Sequence, residues 1–168
     1  YEYDSYGNVT RVTESDWDPV GRFRDFRLTQ TGYVTNTSGV YLVGLPAYVS
    51  RYTCRYQDAY QANGACSTNN PGWLPTAWLV SSDWYLYDEH TTWNEPPLQG
   101  IFTGQRQLLR FASPATYTDP MYADRRYVYD DYGNQTGVYL YEQENSATQF
   151  AYGAARHSVT CYETVDRL

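Results

Sequence analysis

Ten residues are written twice in this chain. Tyr1-Glu-Tyr-Asp-Ser-Tyr-Gly-Asn-Val-Thr10 returns as Tyr127-Val-Tyr-Asp-Asp-Tyr-Gly-Asn-Gln-Thr136, identical at seven of ten positions and offset by 126 residues (127 minus 1). The alternation Tyr-x-Tyr puts both rings on one face of a pleated strand. The Asp that follows stands at the mouth of a turn, where its carboxylate accepts backbone N–H groups. Gly-Asn tolerates positive φ with little strain, and the strand restarts at the following residues. A single hairpin of this kind is ordinary. Two matching copies mark a repeat, with Asp4, Gly7, Asn8, Asp130, Gly133 and Asn134 as its turn residues.

The rest of the chain agrees with strands. Of 168 residues, 42% are apolar and 18% aromatic, and Tyr alone occurs 20 times. Such rings suit sheet faces that bury one edge and leave the hydroxyl wet. No stretch carries a long helical period. Strand-like runs at hairpin spacing number on the order of ten, which gives an all-β chain with little or no helix. The length suffices for one domain with its own core. From the residues alone, a sandwich and a curled sheet are equal alternatives.

Several segments bear on the course of the chain. Residues 15–21 and 36–39 read as turns. The strand over 40–52 contains Pro46, which demands a bulge or a sheet edge. Residues 57–77 are rich in breakers and read as an insertion-like loop. Residues 105–112 suit a strand or a short helical turn, and 113–120 a connector. Further strands are expected over 149–152 and 157–165.

Tyr-x-Tyr-Asp-x-x-Gly-Asn-x-Thr resembles the YD motif of the RHS/YD-repeat family, the shell-building repeats of bacterial polymorphic toxins, insecticidal toxin complexes and teneurins. Tyr41-Leu-Val-Gly-Leu-Pro-Ala-Tyr-Val-Ser50 is similar to a Leu-x-Gly-Leu-Pro-x-x-Val strand element of large RHS proteins. Trp84-Tyr-Leu-Tyr-Asp88 resembles a degenerate YD unit without its Gly-Asn turn. The resemblance implies antiparallel hairpin repeats in one curled or spiralling sheet, with 1–168 a single β-repeat domain. It also implies a non-enzymatic structural role: a segment of a toxin shell or, in a free chain, an extracellular filament or surface appendage. Its partners would be further repeats of a longer chain, or copies of itself paired through sheet edges.

The net charge is −7, the isoelectric point is near 4.7, and all 12 basic residues are Arg. An acidic surface disfavours nucleic acid, whose binding rests on phosphate neutralisation, and anionic lipid. No apolar run is long enough to span a bilayer. The chain begins inside a motif, so it is either a processed mature protein or a piece of a longer one. An extracellular or cell-surface setting is expected. There Cys54 and Cys66 would close a loop worth about 3 kcal/mol, two free thiols being the alternative. Cys161 is left over, either unpaired or bonded to a neighbouring chain. Asn8, Asn36 and Asn134 head N-glycosylation triplets.

Candidate chemistry is sparse, and no cofactor or metal is expected. His90 lies beside Asp88 and Glu89 and can be drawn as a base, but no nucleophile is placed to complete it. The 19 carboxylates can supply a glycosidase pair, yet most stand in turns. Asp130-Asp-Tyr-Gly-Asn134 lacks the ligand spacing of a calcium loop. The alternative to a structural role is a cell-surface module holding glycan or protein on Tyr and Trp faces, with a carbohydrate-active enzyme third.

Overall fold

The computed structural model describes residues 1–17, 23–55, 79–113, 118–144 and 156–158. Among them nine strands form one antiparallel sheet in strict chain order. They are β1 (Glu2–Tyr3), β2 (Val9–Trp17), β3 (Phe23–Asn36), β4 (Leu42–Arg55), β5 (Leu79–Tyr87), β6 (Phe102–Ser113), β7 (Thr118–Tyr129), β8 (Gln135–Glu144) and β9 (Arg156–Ser158). Each strand pairs with its sequence neighbours, and β1 and β9 stand at opposite ends of the order. The sheet is therefore open, and no second sheet packs on it among the described residues. The chain is all-β and curled rather than a sandwich.

Curling is built into the register. Every strand pair except β8–β9 contains a register irregularity, which adds local twist. Two glycines sit inside strands on one face, each covered by the side chain directly across. Tyr48 lies over Gly32, where an added Cβ would overlap its ring, and Leu86 lies over Gly104, 3.0 Å from the position of a Cβ. A large side chain folded over a glycine lets neighbouring strands bend toward that face.

That face carries the buried row. Antiparallel partners project to the same side, so Leu28, Ser50, Ser82, Leu86, Arg106, Leu108, Tyr122, Asp124 and Tyr141 line one surface, all nearly inaccessible. Val80, Leu109 and Leu140 remain exposed. A second cluster lies toward the turns, where Val34, Ala47 and Tyr87 pack with Leu45, Tyr85 and Phe102.

Several sequence expectations change. The strand through Pro46 is central, between β3 and β5, so the bulge reading stands and the edge reading does not; the register shifts at Gly32/Tyr33, opposite the proline. Residues 105–112 are strand, not helical turn. β2 runs on to Trp17, into the segment expected to turn. β7 begins at Thr118 and takes Pro120 opposite Phe111, where a connector was expected. The loop at 57–77, the strand at 149–152, Cys66 and Cys161 lie outside the described residues, as does the Cys54 side chain; of 157–165 only His157 and Ser158 are described.

Candidate functional site

A meander returns every second connection to the same end. Here that end gathers the turns after β1, β3, β5 and β7, so both copies of the repeated motif lie along it. Their hydrogen bonds match one for one. Asp4 Oδ1 accepts from the N–H groups of Tyr6 and Asn8, both at 2.9 Å, and Asp130 Oδ1 accepts from those of Tyr132 and Asn134 at 2.9 and 2.8 Å. Asn8 Nδ2 donates to Asp4 Oδ2 at 2.9 Å, and Asn134 Nδ2 to Asp130 Oδ2 at 3.0 Å. Gly7 N–H donates to the Asp4 carbonyl and Gly133 N–H to that of Asp130. The glycines hold φ of +86° and +82°.

The asparagines serve differently from the sequence reading. Positive φ among described non-glycine residues occurs only at Asp88 and Glu89. Asn8 and Asn134 are there for their amides, which clasp the aspartate. These clasps set the acidity of the turns. Burial disfavours the charged form of Asp4, but the Asn8 amide and the backbone donors outweigh it and hold the carboxyl below the ordinary value. At Asp130 the Asn134 amide comes first, and the result is again a lowered value. Asn8 Nδ2 also donates to the Val43 carbonyl, tying the first turn to β4. Asn36 is buried and donates to the Pro97 carbonyl at 2.8 Å.

The aspartate that ends Trp84–Asp88 also organises the turn that follows it. Asp88 accepts four backbone N–H groups of the β5–β6 loop, from Leu98, Gln99, Gly100 and Ile101, at 2.6–3.0 Å. Burial pushes its carboxyl up, and these four bonds pull it down further, leaving it below the ordinary range. Asp88 thus orders a fourteen-residue loop (88–101) instead of orienting His90, whose backbone N–H donates to the Tyr87 carbonyl. No group of three His, Cys, Asp or Glu side chains comes together among the described residues.

A relationship invisible in the sequence binds the hairpins laterally. Tyr33 donates its hydroxyl to the Val9 carbonyl at 3.1 Å, Tyr87 to that of Pro46 at 2.9 Å, and Tyr129 to that of Phe102 at 2.8 Å. Each tyrosine reaches back to the preceding strand, and the register is the same three times. The nearest regular cross-strand pairs are Arg11–Gln30, Tyr48–Trp84 and Gly104–Arg126. In every case the acceptor lies two residues before that pair (9, 46, 102) and the tyrosine three after it (33, 87, 129). Burial raises the pKa of all three hydroxyls, that of Tyr87 to about 12.

The same frame defines a cross-strand pair four residues beyond each acceptor. It is Thr13–Leu28 between β2 and β3, Ser50–Ser82 between β4 and β5, and Arg106–Asp124 between β6 and β7. The serine hydroxyls are 2.7 Å apart. Arg106 grips Asp124 bidentately, Nε to Oδ1 and Nη2 to Oδ2, both at 2.7 Å. The Tyr122 ring lies under its guanidinium at 5.0 Å and meets Trp84 edge-on at 5.6 Å. One register position thus carries an exposed Thr13 across from the buried Leu28, a neutral hydrogen bond and a buried ion pair in turn.

Each turn at this end also exposes an aromatic side chain: Tyr6, Tyr41, Trp93 and Tyr132. Trp93 is steadied by Tyr48, edge-on at 5.6 Å. No helix of the described residues is long and apolar enough to cross a membrane. Comparison with protein-family models, with curated proteins and with solved structures returned no match.

Proposed function

We propose that this chain is building material: a non-enzymatic length of β-ribbon, of RHS type, that extends an extracellular wall, shell or filament. The observation that carries this reading is the common register of the three tyrosine contacts. A hairpin joined to its neighbour by one repeated rule can be added to indefinitely, and an open sheet offers unpaired backbone at both lateral ends. The acids most suited to catalysis, Asp88 and Asp124, are taken up by backbone amides and by Arg106, which leaves them to structure. Negative-stain images and sedimentation of the purified chain at rising concentration test the proposal. Fibres or higher-order assemblies are expected, and a clean monomer throughout counts against it.

A second reading has one observation in its favour. The exposed rings of Tyr6, Tyr41, Trp93 and Tyr132 stand one per turn along a single end, as a module that holds glycan or protein would present them. Binding well above background on a glycan array, lost on changing Trp93 and Tyr132 to Ala, would favour that module.

A further inference from the structure

We propose that the start of β8 is the seat of a fourth tyrosine contact, its occupant the segment 159–164 of this same chain, with the Tyr162 hydroxyl donating to the Gln135 carbonyl. This deepens the building role and rests on it: the rule that joins one hairpin to the next is kept where the repeated motif starts the series again. Residues 159–164 lie outside the described ones, and what places them is the register of β8 and β9.

Gln135 stands where Val9 stands. Each is the first residue after the Asn of its motif and lies opposite the second motif tyrosine, Val9 across from Tyr3 and Gln135 across from Tyr129. The Val9 carbonyl holds the hydroxyl of Tyr33 from β3. Strand β9 meets β8 as β3 meets β2. Val138, Tyr139 and Leu140 pair with Ser158, His157 and Arg156, and the residues 126 earlier, Val12, Thr13 and Glu14, pair with Thr29, Leu28 and Arg27. Each partner stands 129 residues from its counterpart (158 minus 29, 157 minus 28, 156 minus 27). Carried from Tyr33, that step ends on Tyr162 (33 plus 129). The register common to the three observed contacts reaches the same residue. An acceptor at 135 sets the regular pair at 137, one step from Val138–Ser158 and so opposite 159, and the tyrosine three beyond is 162.

The sequence carries an independent mark of this equivalence. Arg27-Leu-Thr-Gln-Thr-Gly-Tyr-Val-Thr35 and Arg156-His-Ser-Val-Thr-Cys-Tyr-Glu-Thr164 share Arg, Thr, Tyr and Thr at the first, fifth, seventh and ninth places, and a hydroxyl, Thr or Ser, at the third. Agreement at alternate residues is how a strand keeps one face. The repeating unit is then longer than the ten-residue motif: it runs from the first strand through the glycine turn to a tyrosine two strands on.

The test uses the intact chain. A carbon-13 NMR titration of the tyrosine rings is expected to put the Tyr162 midpoint above the ordinary value of 10, the direction in which burial moves Tyr33. The backbone carbonyl carbon of Gln135 is expected to shift in Tyr162→Phe, as that of Val9 shifts in Tyr33→Phe. The Phe102 carbonyl, held by Tyr129, should stay in place in both. The titration needs no variant, so it decides the matter even if Tyr162→Phe fails to fold. A Tyr162 midpoint at or below 10, or a Gln135 carbonyl unmoved in Tyr162→Phe, would overturn the proposal. Sedimentation reads assembly separately: fibres from a chain whose Tyr162 titrates at or below 10 would strike out this contact and leave the building role standing.

Discussion

The Tyr129 hydroxyl bonds the carbonyl of Phe102, 2.8 Å away on the preceding strand, one residue before Asp130 closes the turn. The same tyrosine that marks the repeated motif therefore also fastens one hairpin to the last. Tyr87 and Tyr33 do this from hairpins whose turns lack the motif. What repeats along the chain is this contact and its register, more faithfully than the letters around it.

Removing one such hydroxyl has a calculable cost. Tyr87→Phe leaves the Pro46 carbonyl short of its donor and should lower stability by about 1 kcal/mol. Chemical denaturation checks the value, and Tyr41→Phe, whose ring is 74% exposed, is the control expected to do nothing. The alkaline limb should change as well. Unfolded tyrosine ionises near 10 and folded Tyr87 near 12, so the folded state binds more protons between those values. Its contribution is complete below pH 10 and is lost as pH rises toward 12. Tyr87→Phe should flatten that decline in melting temperature.

The two glycine turns should respond alike. Nothing lies within 4 Å of a Cβ built on Gly7 or Gly133, so Gly7→Val and Gly133→Val test backbone strain alone. Each should cost about 1–3 kcal/mol. An unchanged melting temperature at one position and a large loss at the other would mean that the copies are not equivalent.

The buried ion pair should behave asymmetrically. Asp124→Ala strands Arg106 in the interior and should cost about 3–5 kcal/mol, whereas Arg106→Met combined with Asp124→Leu should recover most of it. The equivalent register position between β2 and β3 pairs Thr13 with Leu28, without charge. Urea unfolding of the two variants beside the native chain decides the matter.

Acid should loosen the turn end first. Asp4, Asp88 and Asp130 ionise below the ordinary value of 3.8 when folded. Their support is therefore complete above that value and is lost as pH falls through the lowered ones. Amide exchange of Leu98, Gln99, Gly100 and Ile101 should accelerate together in that range. In Asp88→Asn it should already be fast at neutral pH.

Much of this was legible in the sequence, for a physical reason. Turn chemistry is local, so Asp4 with Gly7 and Asp130 with Gly133 could be assigned from spacing alone, and alternation of apolar residues gave the strands. The interior was hidden because register is not local. Nothing in the letters places Arg106 opposite Asp124, or the Tyr33 hydroxyl on a main-chain carbonyl at Val9. Pro46 was readable as a bulge, yet its central position depends on β5, whose pairing begins far along the chain. The order in residues 88–101 was missed because it hangs on one carboxylate bonding main-chain N–H groups, which leave no signature.

The account stands on a shared register for the three tyrosines, and a carbon-13 NMR titration of the tyrosine rings tests it most directly. At pH 10, where an ordinary tyrosine is half ionised, Tyr33, Tyr87 and Tyr129 should each be less than half ionised. A midpoint at or below 10 for any one of them would contradict the common contact and the continuous ribbon built on it.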